Sequence, residues 1–196
     1  MIYGKNITVT GTTRGIGKAI TDTLSPNNAV TELNRPNIDL ENIETLRKLD
    51  FKDTDVLILN AGHHLGNRTL FENHSEDHWL RIISCNLTGN LFLIQKYLQQ
   101  RETGTIVIIN STRATRITDD LTVYSGVKAA LDRIAINLRY ELYKQKKDIR
   151  VLDVKPSLTR AELIPDPNYI KVSTYTQVAE GIAAALAHEK IEEVKF

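Results

Sequence analysis

Apolar positions along the chain fall into short β-branched runs that alternate with stretches at helical spacing. Asn6 to Thr10, Ala29 to Leu33, Asp55 to Asn60 and Ile149 to Val154 read as strands, as does the run Ile106 to Ile109 introduced by Gly104. A helix is predicted from the glycine turn after Thr10 through Leu24, and another over Glu41 to Leu49 with Ile43, Leu46 and Leu49 on one side. Ser75 is a good N-cap, with Glu76 and Asp77 in the first turn. The helix it opens is predicted to reach about Gln100, with Leu80, Ile83, Leu87, Leu91, Ile94 and Leu98 as its buried stripe. Val127, Leu131, Ile134 and Leu138 mark a further helix opening near Tyr124, and Gln177 to His188 an Ala-rich one. Ile191 to Phe196 reads as a last short strand. Ser157 to Ser173, with Pro165 and Pro167, is irregular and sits where a lid over a substrate would belong. Strands alternating with helices throughout predict an α/β fold, a doubly wound parallel sheet with helices on both faces.

Composition changes this picture little. The 196 residues fit one domain, 1–196, and 41% hydrophobic with 25% charged residues is ordinary for a globular protein. A net charge of +1 offers no field for nucleic acid or for an anionic membrane, so neither is expected as a partner. Cys85 is the only cysteine, which excludes an intramolecular disulfide and suits a reducing compartment. The N-terminus runs straight into a strand without a signal-peptide pattern, and no apolar run approaches the ~18 residues of a membrane span. The expected location is cytoplasmic.

The candidate chemistry lies at strand ends. Gly11-Thr-Thr-Arg-Gly-Ile-Gly17 stands between a strand and a helix, the context of a nucleotide-binding loop. Its glycines serve either as plain turn residues or as a phosphate cradle. Arg14, and Arg35 just beyond the second strand, are within reach of a ribose end, where arginine suits a 2′-phosphate; this favours NADP over NAD. Asn60-Ala61-Gly62 is either a turn or a cofactor-facing loop. Tyr124 and Lys128 are four residues apart, hence on one helix face. Bringing a phenol from a pKa of about 10 to about 7 takes roughly 4 kcal/mol. One ammonium at about 4 Å supplies energy of that order at an effective dielectric near 20. Lys128 is thus placed to make Tyr124 an acid/base, with the Ser111 hydroxyl beside it to hold a carbonyl oxygen. A solvated Tyr/Lys pair is the plainer alternative.

Together these residues resemble the short-chain dehydrogenase/reductase family over nearly the whole chain. The family's Thr-Gly-x-x-x-Gly-x-Gly appears as Thr10, Gly11, Thr12, Thr13, Arg14, Gly15, Ile16 and Gly17, and its Asn-Ala-Gly as Asn60, Ala61 and Gly62. Its helical Asn falls on Asn86 within CNLTG, its Ser on Ser111 and its Tyr-x-x-x-Lys on Tyr124 and Lys128. The resemblance implies a Rossmann-like fold and hydride transfer between a nicotinamide and a carbonyl or secondary alcohol. It makes Tyr124 the general acid/base, Ser111 the group that positions the carbonyl, and Asn86 the anchor of a water in a proton relay. Lys128 would bind the nicotinamide ribose and lower the Tyr124 pKa. Arg14 resembles NADP-preferring members, and Asp39-Leu40 matches an adenine-contacting pair. Asn34 and Arg35, with Pro156, Ser157, Leu158 and Thr159 after the sixth family strand, complete the implied cofactor contacts. A homodimer or homotetramer is implied as well.

The chain departs from the family pattern between Gly17 and Asn60, which is shortened as though a helix and most of a strand were lost. Pro156-Ser157 stands where Pro-Gly is usual, with Thr159 a substitute for the displaced Thr. His74 and His78 have a zinc-compatible spacing but no third ligand, so no metal site is expected. His63, His64, Arg113 and Arg116 either line a substrate mouth, which would favour a polar or anionic carbonyl, or are solvated. Cys85 reads as core packing. The competing function is a catalytically silent NADP(H)-sensing or scaffold protein of the same fold.

Overall fold

The computed structural model describes residues 2–64, 70–117, 121–160, 172–188 and 192–196, without the side chains of 158–160 and 172. Strands β1 (Asn6–Thr10), β2 (Ala29–Leu33), β3 (Val56–Leu59), β4 (Thr103–Ile109), β5 (Asp148–Lys155) and β8 (Glu193–Lys195) form one six-stranded sheet. Its order is β2-β1-β3-β4-β5-β8 and every pairing is parallel. β1 pairs with β2 on one side and β3 on the other, so the winding reverses there, and a crevice opens above the carboxyl ends of β1 and β3.

Alternate strand residues feed two cores, as a strand buried on both faces requires. Leu57, Leu59, Ile106, Ile108 and Val151 pack with helices α3 (Gly89–Gln100) and α4 (Thr122–Gln145). Ile58, Val107, Ile109, Leu152 and Val154 pack with α1 (Gly15–Leu24) and α5 (Tyr175–Leu186) on the other face. The doubly wound sheet is thereby borne out.

Three expected elements differ. Glu41 to Leu49 is not an α-helix; only a 3-10 turn, Ile43–Leu46, forms. Asp39 accepts the Glu41 amide, and Asn42 caps the turn by accepting the Glu44 amide, so helical backbone starts only at Ile43. The long helix from Ser75 is two helices, α2 (Glu76–Ile83) and α3, joined by a π-helical turn, Ser84–Thr88. The wider turn rotates the buried stripe onto His78, Ile82, Cys85, Asn86, Asn90, Leu93, Ile94 and Tyr97, leaving Leu80 43% exposed. Leu158–Arg160 (β6) and Val172–Thr174 (β7) pair as a two-stranded ribbon at the ends of the expected lid, whose middle, 161–171, lies outside the described residues. The shortening after α1 is real: residues 34–55 contain no strand, and β2 is the sheet edge.

Candidate active site

The glycine turn is built for close approach. Gly11 and Gly15 hold φ of +70° and +62°, which favours glycine. A Cβ on Gly11 would lie 2.8 Å from the Ala61 Cα, and one on Gly17 2.1 Å from the Gly11 oxygen, so α1 seats directly against the turn. At Gly15 a Cβ would meet only Tyr175, at 4.0 Å, because that position faces a cavity. Asn60 Nδ2 donates to the Thr10 and Gly11 carbonyls at 3.1 and 2.7 Å, while Thr10 Oγ1 accepts the Asn60 and Ala61 amides. No side chain caps the first turn of α1, and its amides suit an anion. The donor set and the cradle fit the pyrophosphate of a dinucleotide.

Thr12 and Gly17 are not part of the cavity wall; they hold its frame. Thr12 donates to Glu32, its amide donates to Asn34 Oδ1 at 2.8 Å, and Asn34 Nδ2 donates back to Thr12 Oγ1 at 2.7 Å. Gly11, Thr13, Arg14, Gly15, Ile16, Asn34, Arg35, Asp39, Leu40, Asn60, Ala61, Gly62, Pro156 and Ser157 all line the cavity, of about 520 Å³. The side chains of Leu158 and Thr159 lie outside the described residues.

Asn86, Ser111, Tyr124 and Lys128 line the same cavity at its other end. Ser111 follows β4 and caps a 3-10 turn, Thr112–Ala114, with its Oγ accepting the Arg113 amide at 3.1 Å. Tyr124 is half-buried in the first turn of α4, and Lys128, 5% exposed, sits one turn further on. Lys128 Nζ donates to the Ile109 carbonyl at 2.9 Å and lies 5.6 Å from the Tyr124 ring centroid. Burial pushes the Tyr124 phenol above its ordinary pKa, while the Ser111 hydroxyl and the Arg113 charge pull it down. The lowering by Lys128 expected from helical spacing is therefore not what these groups produce: the ammonium is aimed at a backbone carbonyl and desolvation dominates. Lys128 itself is brought down to about 8 by burial, with the Asp153 charge opposing.

The ribose end is also more crowded than its arginines suggest. Arg35 Nη2 donates to Asp39 at 2.7 Å and to Glu41 at 3.0 Å. Glu41 also accepts Arg81 Nε and pairs with His63 Nε2, both at 2.9 Å. Burial alone would raise the Glu41 carboxyl, but hydrogen bonds from Arg81, His63 and Arg35 together hold it at about 2. Arg14 is exposed and forms no ion pair among the described residues.

Sequence reasoning missed Glu41, Asn110 and Tyr175. Nothing local marks them; Glu41 matters because three distant segments meet on it, and Tyr175 because α5 returns over the glycine turn. Cys85 is buried as expected but also borders the cavity, its thiol pushed up to about 11 by burial. Glu41, His63 and Cys85 present ligand atoms within 4.8 Å of one another, but both Glu41 oxygens are engaged by cationic side chains. The rings of His74 and His78 are 4.5 Å apart. No helix among the described residues is long and apolar enough to cross a membrane.

A family model described as short chain dehydrogenase matches residues 36–166, more than half of the chain. An uncharacterized oxidoreductase of Staphylococcus saprophyticus is 27% identical over 191 residues, covering 83% of this chain and 77% of that protein. An NADP-dependent 3-hydroxy acid dehydrogenase of Salmonella typhimurium is 28% identical, covering 79% of this chain and 63% of that protein. A crystal structure of a short chain dehydrogenase from Burkholderia cenocepacia in complex with NADP superposes with a TM-score of 0.81 at 23% identity, over 98% of this chain and 88% of that one. Serine dehydrogenase from Escherichia coli gives 0.77 at 23% identity, over 97% and 96%. At that identity the two structures speak for the fold alone. With the sheet order, the glycine turn and the shared cavity in place, the match over 36–166 decides the matter: the chain belongs to the short-chain dehydrogenase/reductase family of oxidoreductases.

Proposed function

We propose that the protein transfers hydride between the nicotinamide of NADP and a carbonyl or secondary alcohol, with Tyr124 as the acid/base. One observation carries the reading: Asn86, Ser111, Tyr124 and Lys128 border the same cavity as the glycine turn, so a dinucleotide held at one end reaches chemistry at the other. The dinucleotide supplies or accepts the hydride when bound. Ser111 Oγ holds the substrate oxygen, and the Tyr124 hydroxyl delivers a proton to it or removes one. Lys128 brings a buried positive charge that favours the ribose hydroxyls and the developing oxyanion. The side chain of Asn86 pins the loop on which the nicotinamide would rest.

Arg14 supports the preference for NADP over NAD, as an exposed cation beside the turn with no counter-ion among the described residues. Ile136, Tyr140 and Tyr143 on α4 and Leu80 on α2 are exposed apolar side chains, which supports a homodimer or homotetramer through these helices in the cytoplasm.

The test is a panel of carbonyl compounds offered to purified protein with NADPH or NADH, followed at the nicotinamide absorbance. Turnover is expected for at least one member, with Tyr124→Phe abolishing it while NADPH still binds. Tight NADPH binding without turnover across the panel would favour a nucleotide-sensing role instead.

A further inference from the structure

Glu41 stands outside the cavity wall, yet it holds two side chains that form that wall. Its Oε1 accepts Arg35 Nη2 at 3.0 Å and pairs with His63 Nε2 at 2.9 Å, and both residues line the cavity. Arg81 of α2 donates to the other oxygen, Oε2, at 2.9 Å. Asn86 in turn pins the backbone of His63, so the carboxylate is fixed from separate segments. The side chain is 17% exposed. Burial would raise its pKa, but the bonds from Arg81, His63 and Arg35 keep it at about 2, so it carries a full charge at neutral pH.

Arg35 is where that charge bears on the cofactor. Its neighbour Asn34 is locked to the glycine turn, with Oδ1 accepting the Thr12 amide at 2.8 Å. Residues just beyond the second strand of such a sheet meet the ribose that carries the 2′ group, where an arginine suits a phosphate. The same Arg35 nitrogen already donates to Asp39 at 2.7 Å, so two carboxylates oppose one guanidinium. A site built only to attract a phosphate of roughly two negative charges would leave that guanidinium unopposed. We propose that Glu41 is a positioning residue that acts through Arg35 to limit how strongly the site favours a 2′-phosphorylated dinucleotide over the unphosphorylated one. The proposal rests on the reductase reading above, which puts the adenosine half beside Arg35. It makes cofactor discrimination a balance of charges rather than the work of the arginines alone.

Purified protein titrated with NADPH and with NADH tests it, with binding read as the change in nicotinamide fluorescence, which needs no turnover. The quantity followed is the ratio of the two dissociation constants, because a loosened fold weakens both and leaves their ratio in place. Glu41→Gln keeps the shape and removes the charge. It is expected to shift the ratio towards NADPH by about three- to tenfold, the scale of one partly exposed charge acting on a doubly charged group. Glu41→Asp, which keeps the charge, stays near the wild type. The shift shrinks in about 1 M salt, where the screening length falls to about 3 Å. With Arg35→Gln already in place, Glu41→Gln shifts the ratio less, since the residue it acts through is gone. Arg81→Gln decides the matter if Glu41→Gln does not fold: it releases Glu41 towards Arg35 and moves the ratio towards NADH. An unchanged ratio in the variant that folds, or a shift of the opposite sign, overturns the proposal. So does a shift that persists in full in high salt, that is equal in Glu41→Asp, or that is undiminished without Arg35. Should neither dinucleotide bind the wild type, the reductase reading fails and takes this one with it, whereas binding of both at a fixed ratio sinks this one alone.

Discussion

Asn86 holds the peptide of His63 from both sides: its Oδ1 accepts the His63 amide at 3.1 Å and its Nδ2 donates to the His63 carbonyl at 2.7 Å. The same Nδ2 donates to the Ile82 carbonyl at 3.0 Å, and the side chain is wholly buried. A Cβ on Gly62 would come within 2.4 Å of that Oδ1, so loop and amide fit only as glycine against asparagine. The hydrogen bonds of this amide thus go to backbone groups.

Asn86→Asp exchanges a donor for a carboxylate facing two carbonyl oxygens. An unsatisfied buried group costs about 1–3 kcal/mol, and a charged one more. The variant is expected to lose about 3 kcal/mol in urea unfolding at neutral pH and to bind NADPH more weakly. Its carboxyl is raised in the fold, so the loss shrinks as pH falls and a protonated acid regains a donor. A deficit independent of pH would count against the pin.

Lys128 illustrates stability given up for chemistry. Its fall from 10.5 to about 8 on burial corresponds to about 3 kcal/mol of unfavourable charge burial, against about 1 kcal/mol for its bond to the Ile109 carbonyl. Lys128→Met should therefore be more stable than the wild type by about 1–2 kcal/mol at pH 7 and catalytically dead. The unfolded chain takes up this proton below about 10.5 and the folded chain only below about 8. The wild type thus gains stability as pH rises through that interval, so the advantage of the variant is complete below pH 8 and gone near 10.5. Thermal melts across that range measure it.

Legibility of the fold and site followed the range of the interactions. The glycine turn, the run before Ser111 and the Tyr124/Lys128 spacing are fixed by residues within a few positions, so the sequence sufficed. The π-helical turn at Ser84–Thr88 has no local signature; it forms where Asn86 must reach both His63 and Ile82, and it displaced the expected stripe off Leu80. Glu41 was hidden for a similar reason, since Arg35, His63 and Arg81 lie on separate segments that only the fold assembles. The expected effect of Lys128 on Tyr124 failed on energetics rather than on placement, because spacing gives proximity but not desolvation.

The raised Tyr124 phenol sets the pH profile of each direction. At neutral pH it is protonated, which suits delivering a proton to a carbonyl oxygen and not removing one from an alcohol. Reduction is expected to stay level through neutral pH and fall only in alkali, while oxidation climbs as the solution becomes alkaline. Because the Arg113 charge lowers this phenol, Arg113→Ala should move the rising limb of oxidation further into alkali. Initial rates in both directions over a pH series are sufficient, and an oxidation limb that moves towards acid in the variant would refute the assignment.

Behind Ser111, Lys155 holds three carboxylates together from separate elements. Its Nζ lies 2.6 Å from Asp132 on α4, 2.9 Å from Glu193 on β8 and 3.3 Å from its neighbour Asp153. Burial opposes the Lys155 charge, but hydrogen bonds to Asp132 and Glu193 overrule it and raise its pKa well above the ordinary value. Burial pushes Asp153 up to about 6 even with that ammonium beside it. Lys155→Met leaves the three acids, with oxygens within 4.8 Å of one another, without their cation. Removing one partner from a buried ionic group costs about 3–5 kcal/mol, and that loss is expected at neutral pH. The orphaned acids then have folded pKa values above their unfolded ones, so stability is lost as pH rises through the folded values and regained on acidification. Manganese or calcium should raise the melting temperature of the variant and not of the wild type, because a divalent cation takes the place of the ammonium among the same oxygens. Equal metal effects on the two proteins, or a deficit that does not shrink in acid, would show that Lys155 acts through packing rather than charge.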